Sequence, residues 1–420
     1  MNILFVLPWL PYPLISGGHQ ALFNGIAAIS KEMDVSLAFV VENEYEYVDA
    51  LGDFTKDFPN VKLFPLYRCR RIADGAKRPT AVKPWYSRLF RNIFHPKKVK
   101  EEQKGFDKLA FWSYCTLPPD GSWTAHLQNI IDNNSFDIIQ VEMPWLLNTI
   151  MGLTHNSKIV YVHHELGFIR RALEMRNTPK EDYYSWSWLR FADLNEIAQL
   201  NLYDAVITLS PIDKKKLEEA GVTKPVYSSL AVVDSSPDVK PQPCTQQRLT
   251  FMGPEGHAPN FEGITWFLDN CWNKLKEKQP NFTLDIIGNW SQTSIERYKS
   301  KYPDVNFLGF VDDLSATLGG SIMIVPINIG SGIRIKILEA TTRGIPFVST
   351  TVGAEGIPVE NGVHCFIEDA PDKFVDAIIK LQDTKLQEQF VKASNKMINE
   401  CYSLDALKKN RLEIYKNILK

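Results

Sequence analysis

A glycine loop, two cations and a carboxylate crowd into one short stretch: Gly330-Ser331-Gly332, Arg334, Lys336 and Glu339. Glycines ahead of a helix let the backbone turn tightly, and the helix start then offers unpaired N–H groups and the positive end of a dipole. That combination suits a phosphate. Arg334 or Lys336 could neutralise phosphate charge, and Glu339, one turn later, could accept hydrogen bonds from ribose hydroxyls. Lys336, Glu339 and Arg343 are three and four residues apart, so they share one helix face. The plainer reading of Glu339 and Arg343 is a surface i,i+4 ion pair contributing a few tenths of a kcal/mol.

The elements that must position these residues are legible around them. Ser321 to Ile327 is a nearly continuous apolar run, as in a strand buried on both faces of a parallel sheet. The spacing predicts a helix from about Ile333 to Arg343, stopped by Gly344 and Pro346. Ile333, Ile337 and Ala340 form its sheet-facing stripe. A further strand leads to a second glycine loop, Gly353-Ala354-Glu355-Gly356. Upstream, the strand Arg248–Gly253 turns through Pro254-Glu255-Gly256-His257, which brings His257 and Asn260 toward the same phosphate; Asn260 reads equally as a helix-capping residue. Phe282–Gly288 and Val305–Val311 are also strands. Asp312 and Asp313 cap the short helix after them rather than hold a metal, and the chain contains no D-x-D.

The N-terminal half repeats the alternation of strands and helices. Asn2–Trp9 is a strand, followed by a proline-rich loop, the run Ser16-Gly17-Gly18-His19, a helix near Gln20–Lys31 and a strand Val35–Val41. This opening belongs to a doubly wound α/β domain, in which ligands sit beyond the carboxyl ends of the strands. Glu42 ends the second strand where a dehydrogenase would hold a ribose, yet no G-x-G-x-x-G occurs in the preceding loop. Gly18 instead suits a loop that approaches a phosphate, or an ordinary helix entry. Val61–Leu66, Phe136–Glu142, Lys158–His164, Asp204–Ser210 and Lys224–Leu230 are further strands, with helices at Trp145–Leu153 and Lys180–Asn201. The strand ending in His163-His164-Glu165 presents one histidine to the ligand side. His163 could orient a transferred sugar or stabilise developing charge. A metal is the sharper alternative, but adjacent strand residues point to opposite faces and no third ligand is apparent.

Composition narrows the class. With 44% hydrophobic and 23% charged residues in 420, the chain reads as a soluble globular protein of two domains. A net charge of −2 gives no reason to expect nucleic-acid binding. Six scattered cysteines without ligand-like spacing imply thiols in a reducing cytosol. The apolar N-terminus lacks a basic leader and is broken by prolines, and no apolar run is long enough to span a bilayer. Residues 68–104 are rich in Lys and Arg, with Trp85, Tyr86, Phe90 and Phe94 interleaved. Such a stretch suits peripheral contact with the inner face of a membrane, or a solvated amphipathic helix. After Pro371 two helices close the chain, the last with a stripe of Leu404, Leu407, Ile414 and Ile418.

The run GSGIRIKILEATTRGIPFVSTTVGAEGI resembles the donor-site signature of retaining GT-B glycosyltransferases of family four, often called group one. The resemblance is densest from Arg248 to Asp369. It implies an α/β fold of two Rossmann-like doubly wound domains facing a central cleft. Residues 1–235 would form the acceptor-side domain, 236–247 a linker, 248–402 the nucleotide-sugar domain, and 403–420 a helix returning to the first domain. It implies Arg334, Lys336 and His163 as catalytic groups. Gly18, Gly253, His257, Gly330, Ser331, Gly332, Ile333, Glu339, Gly353 and Ala354 would bind the donor. Many members carry a second glutamate where this chain has Ser331, which bears on how the donor sugar's hydroxyls are read. The implied substrates are a nucleotide-sugar and a glycan or lipid-linked acceptor, with retention of configuration, no protein nucleophile, no cofactor and no metal. A nucleotide-sugar epimerase or hydrolase, or a nucleotide-sugar-binding protein without turnover, are the competing functions.

Overall fold

The computed structural model describes residues 1–14, 17–42, 44–68, 118–176, 178–230, 240, 242, 244, 246–330 and 332–420. Ser331, most of the 236–247 linker and the basic stretch beyond Arg68 lie outside the described residues. Arg68 itself pairs with Asp120 at 2.9 Å. The described residues divide into two compact units, Met1–Ser229 with Lys408–Lys420, and Leu230–Leu407.

In the first unit, short apolar runs with β-branched residues become the strands β1 (Asn2–Val6), β2 (Asp34–Val41), β3 (Lys62–Tyr67), β4 (Ile138–Glu142), β5 (Lys158–His163), β6 (Ala205–Thr208) and β7 (Val226–Ser228). They lie in the order β3-β2-β1-β4-β5-β6-β7, and each described pair is parallel. Ile3 sits between Val35 and Ile138, so β1 is central. The order reverses between β1 and β4, the kind of switch point beside which doubly wound sheets take ligands. Leu4, Val6, Ile139, Val141, Tyr161 and Val206 pack against Trp123, Leu127 and Ile130 from the helix Gly121–Asn133. Each such side chain, fully buried, contributes about 1.5–3 kcal/mol.

Local chemistry set several boundaries differently from the periodicity. Residues 145–153 make two 3-10 turns, Pro144–Leu146 and Thr149–Gly152, rather than one helix. Met143, at φ 76°, turns the chain sharply just before Pro144. Three helices, not two, follow residue 370: Pro371–Lys380, Thr384–Cys401 and Leu404–Ile418. Asp383 starts the second by accepting from the Lys385 amide at 2.9 Å, and Ser403 accepts from the Ala406 amide at the third. On that last helix Leu407, Ile414 and Ile418 are buried, whereas Leu404 is 41% exposed and falls off the stripe. Arg411 Nε donates to Ser229 Oγ at 2.7 Å and the Tyr415 hydroxyl to Gln140 Oε1 at 2.6 Å, which seats residues 408–420 on the first unit.

The second unit repeats the plan with β8 (Arg248–Met252), β9 (Thr283–Ile287), β10 (Val305–Gly309), β11 (Ile322–Val325), β12 (Phe347–Ser349) and β13 (Phe366–Ile367). Their order is β10-β9-β8-β11-β12-β13, again parallel throughout the described pairs. Phe251, Phe267, Phe282, Ile324 and Phe374 anchor its core. Parallel strands share one carboxyl edge, so the loops after β8, β11 and β12 emerge on the same side of this sheet. No described helix is long and apolar enough to cross a membrane.

Candidate active site

The site is built from those three loops. β8 ends at Met252, and Gly253 follows with its amide donated to Ile287 O at 2.8 Å. The chain then turns and enters the helix Ala258–Phe267, with half-buried His257 at the N-cap position. No hydrogen bond from the Asn260 side chain caps this helix. Its Nδ2 donates to Pro254 O at 3.0 Å, across the turn, and the residue is almost fully buried.

From β11 the chain passes Pro326 to Gly332, where Gly330 and Gly332 hold φ values of 109° and 81° that side-chain-bearing residues rarely adopt. A Cβ on Gly330 would also press on the Pro259 ring at 3.2 Å. The helix starts at Ile335 and ends at Thr342, shorter at its amino end than the periodicity predicts. Ile333 therefore precedes the helix, packed against the core, while Ile337 and Ala340 are fully buried as the stripe requires. Arg334 occupies the N-cap position, and its Nη1 donates to Gly332 O at 2.8 Å, bracing the glycine turn from within.

Lys336 points back toward β8. Its Nζ donates to Asn260 Oδ1 at 2.7 Å and lies 4.4 Å from the centre of the Phe251 ring. Burial, and then the neighbouring Arg334 charge, pull its ammonium down to about 7 from the ordinary lysine range. Half-buried Lys336 and buried Arg334 thus stand at the same helix start.

Glu339 lies one turn further on. Arg343 Nη1 donates both to its carboxylate Oε2 and to its backbone oxygen, the latter at 2.9 Å. The i,i+4 pair thus exists, and it grips one carboxylate oxygen, so it is compatible with a ligand on the other. After β12, residues Thr351–Ala354 form a helical turn instead of an open glycine loop. Thr350 Oγ1 accepts from the Gly353 amide at 3.0 Å and Thr350 O from the Ala354 amide at 3.0 Å. Both amides are engaged by the protein itself, and Gly353 is glycine for packing: a Cβ would stand 2.6 Å from Val325 O.

The structure gathers Gly253, His257, Gly330, Gly332, Ile333, Arg334, Lys336, Glu339, Gly353 and Ala354 in the second unit. Gly18 and His163 belong to the first. Gly17 and Gly18 are the first residues of the helix Gly17–Ile29. His163, at the end of β5, is almost fully buried, with Nε2 at 3.1 Å from Glu196 Oε1 and Nδ1 without a partner. Burial alone would raise the Glu196 carboxyl, but the bonds from His163 and the Arg171 charge hold it below its ordinary range. His164 faces the other way and bonds Glu142 Oε2 at 2.6 Å. The neighbours thus take separate carboxylates. Among the described residues no group of three or more His, Cys, Asp or Glu is placed to hold a metal ion. Phe251, and the use of Asn260 as a partner for Lys336, carry no signal in the sequence, because both lie some 80 residues upstream of the cation they serve.

Residues 246–384 match the model of the family described as "Glycosyl transferases group 1". The chain is 23% identical over 316 residues to an uncharacterized 44.6 kDa protein in the cps region of Klebsiella pneumoniae, covering 71% of this chain and 78% of that protein. Among solved structures, a variant of S. aureus TarM in complex with Fondaparinux, alpha-GlcNAc-glycerol and UDP superposes with a TM-score of 0.67 at 10% identity, over 99% of both chains. HepE of Anabaena in complex with UDP-glucose gives 0.62 at 12% identity, over 99% of this chain and 100% of that one. At such identities these two likenesses speak to the fold alone.

Proposed function

We propose that the chain is a nucleotide-sugar-dependent glycosyltransferase of group 1 on the GT-B fold, with Arg334, Lys336 and Glu339 binding its donor. In this reading Arg334 and Lys336 neutralise the diphosphate and Glu339 takes the ribose hydroxyls. The acceptor, a glycan or lipid-linked sugar, falls to the first unit. The relative from a cps region supports a place in cell-surface polysaccharide synthesis, and the UDP-glucose held by HepE supports a UDP-sugar as donor.

The observation that carries this reading is the presence of two cations, half-buried Lys336 and buried Arg334, at one helix start on the carboxyl edge of the second sheet. Lys336 is desolvated beside another cation, which disfavours its charge; a diphosphate there offsets both effects. As the bond between sugar and diphosphate stretches, negative charge grows on the leaving phosphate. The Lys336 ammonium and the Arg334 guanidinium are already in place to meet it, without a metal. Removing one preorganised donor of this type costs on the order of 3 kcal/mol, about a hundredfold in rate. Transfer proceeds with retention of configuration, and no protein nucleophile is assigned.

Thermal melting of the wild-type protein with UDP, GDP and ADP in turn tests the donor site. A nucleoside diphosphate at a hundred times its Kd adds about 2.7 kcal/mol to stability and raises Tm by several degrees. UDP is expected to produce that rise. No rise with any of the three would overturn the reading.

A further inference from the structure

Lys336 is a long, flexible side chain, and an ammonium is a point charge with three donors and no directional preference of its own. Something must aim it. We propose that Asn260 is the positioning residue: its side-chain amide directs the Lys336 ammonium toward the donor diphosphate and ties that aim to the turn after β8. The proposal rests on the donor-site reading above.

Chemistry fixes the orientation of the amide. Lys336 only donates and Pro254 O only accepts, so Oδ1 must face Nζ, at 2.7 Å, and Nδ2 must face the carbonyl, at 3.0 Å. Asn260 is 4% exposed, so water does not compete for either bond. Its place is kept by the residue opposite. A Cβ at position 253 would lie 2.5 Å from Asn260 Cγ, so a glycine there is what admits the amide. Phe251 supplies the third contact, its ring 4.4 Å from Nζ. One N–H of the ammonium is thus spent on Asn260, while the others stay available to phosphate oxygens. The groups that β8 and the helix Ala258–Phe267 bring to Lys336 are uncharged, and the charge acting on it is that of Arg334. A neutral amide orients the cation without cancelling it; a carboxylate in the same place would compete with the diphosphate.

Trace acetylation of the full-length protein across a pH series, read by mass spectrometry, gives the midpoint at which Lys336 deprotonates without any ligand. Asn260→Leu removes the acceptor and is expected to move that midpoint down by about one pH unit. Asn260→Asp keeps an acceptor but adds a negative charge, and is expected to move it up by a similar amount. Gly253→Ala, which pushes the amide aside, should behave like Asn260→Leu. Titration calorimetry with UDP should then show binding weakened about tenfold in Asn260→Leu and Gly253→Ala, with Asn260→Asp weakened through competition. A midpoint unmoved in Asn260→Leu, or moved in the same direction by Leu and Asp, would overturn the coupling, because a residue that merely fills space cannot give opposite signs. Shifted midpoints in a protein that binds none of UDP, GDP and ADP would instead sink the donor site, and with it the diphosphate as the target of Lys336.

Discussion

Glu339 is a structural partner of Arg343, and the donor-site proposal makes it a ligand-binding group as well. Arg343 holds one of its carboxylate oxygens and reaches back to its backbone carbonyl, which fixes the rotamer and leaves the second oxygen for a hydroxyl. Glu339→Gln is expected to weaken nucleoside diphosphate binding roughly ten- to a hundredfold, the range for a lost hydrogen bond to a charged group. Calorimetry with the diphosphate that stabilises the wild type checks it, and wild-type affinity would remove Glu339 from the site. Binding should also respond to pH. A diphosphate favours the charged form of Lys336, whose ammonium titrates near 7 in the free protein, so binding takes up a proton above that pH and affinity falls as pH rises through it. Spacing grouped Lys336, Glu339 and Arg343, since residues three and four apart share a helix face, while Arg334 stood out by following the glycine loop at the helix start. Asn260 could be singled out from the turn after β8, but its bond to Lys336 comes from a tertiary contact that no local pattern encodes.

At the scale of elements, the loops after β8, β11 and β12 do the positioning, and their glycines serve different ends. Gly330 and Gly332 supply backbone angles, Gly253 admits a neighbour's amide, and Gly353 lets a helical turn lie against β11. A Cβ at 353 would meet Val325 O at 2.6 Å and Thr350 Oγ1 at 2.9 Å. Two of the three atoms it would crowd belong to the turn's own cap residue and the backbone of β11, which cannot swing aside. Gly353→Ala is therefore expected to destabilise the second unit by about 1–3 kcal/mol. Urea unfolding would show it, and an unchanged midpoint would mean the turn moves away freely. Apolar runs bounded by Gly, Pro and Asp located the strands from β1 to β12 in the sequence, because a parallel strand buried on both faces reads as a continuous stretch. β13 escaped notice, being only Phe366–Ile367. The break at Asp383 escaped too, since the apolar period continues across it while the cap stops the helix.

At the scale of the whole molecule, each unit has its own parallel sheet and its own core, and the chain returns to the first unit only with residues 408–420. That return is fastened by Arg411 and Tyr415 through Ser229 and Gln140, polar groups buried together. The stripe of Leu407, Ile414 and Ile418 announced a helix needing a partner, but which partner could not be read from periodicity, because amphipathic spacing says that a face is buried and not against what. The central claim concerns where charge is met: on the second unit, at the start of the helix Ile335–Thr342. A crystal structure of the protein with a UDP-sugar bound tests it most directly. The predicted result places the diphosphate within hydrogen-bonding reach of Lys336 Nζ and the Arg334 guanidinium, with the ribose on Glu339. A sugar nucleotide bound elsewhere, with those three side chains untouched, would contradict it.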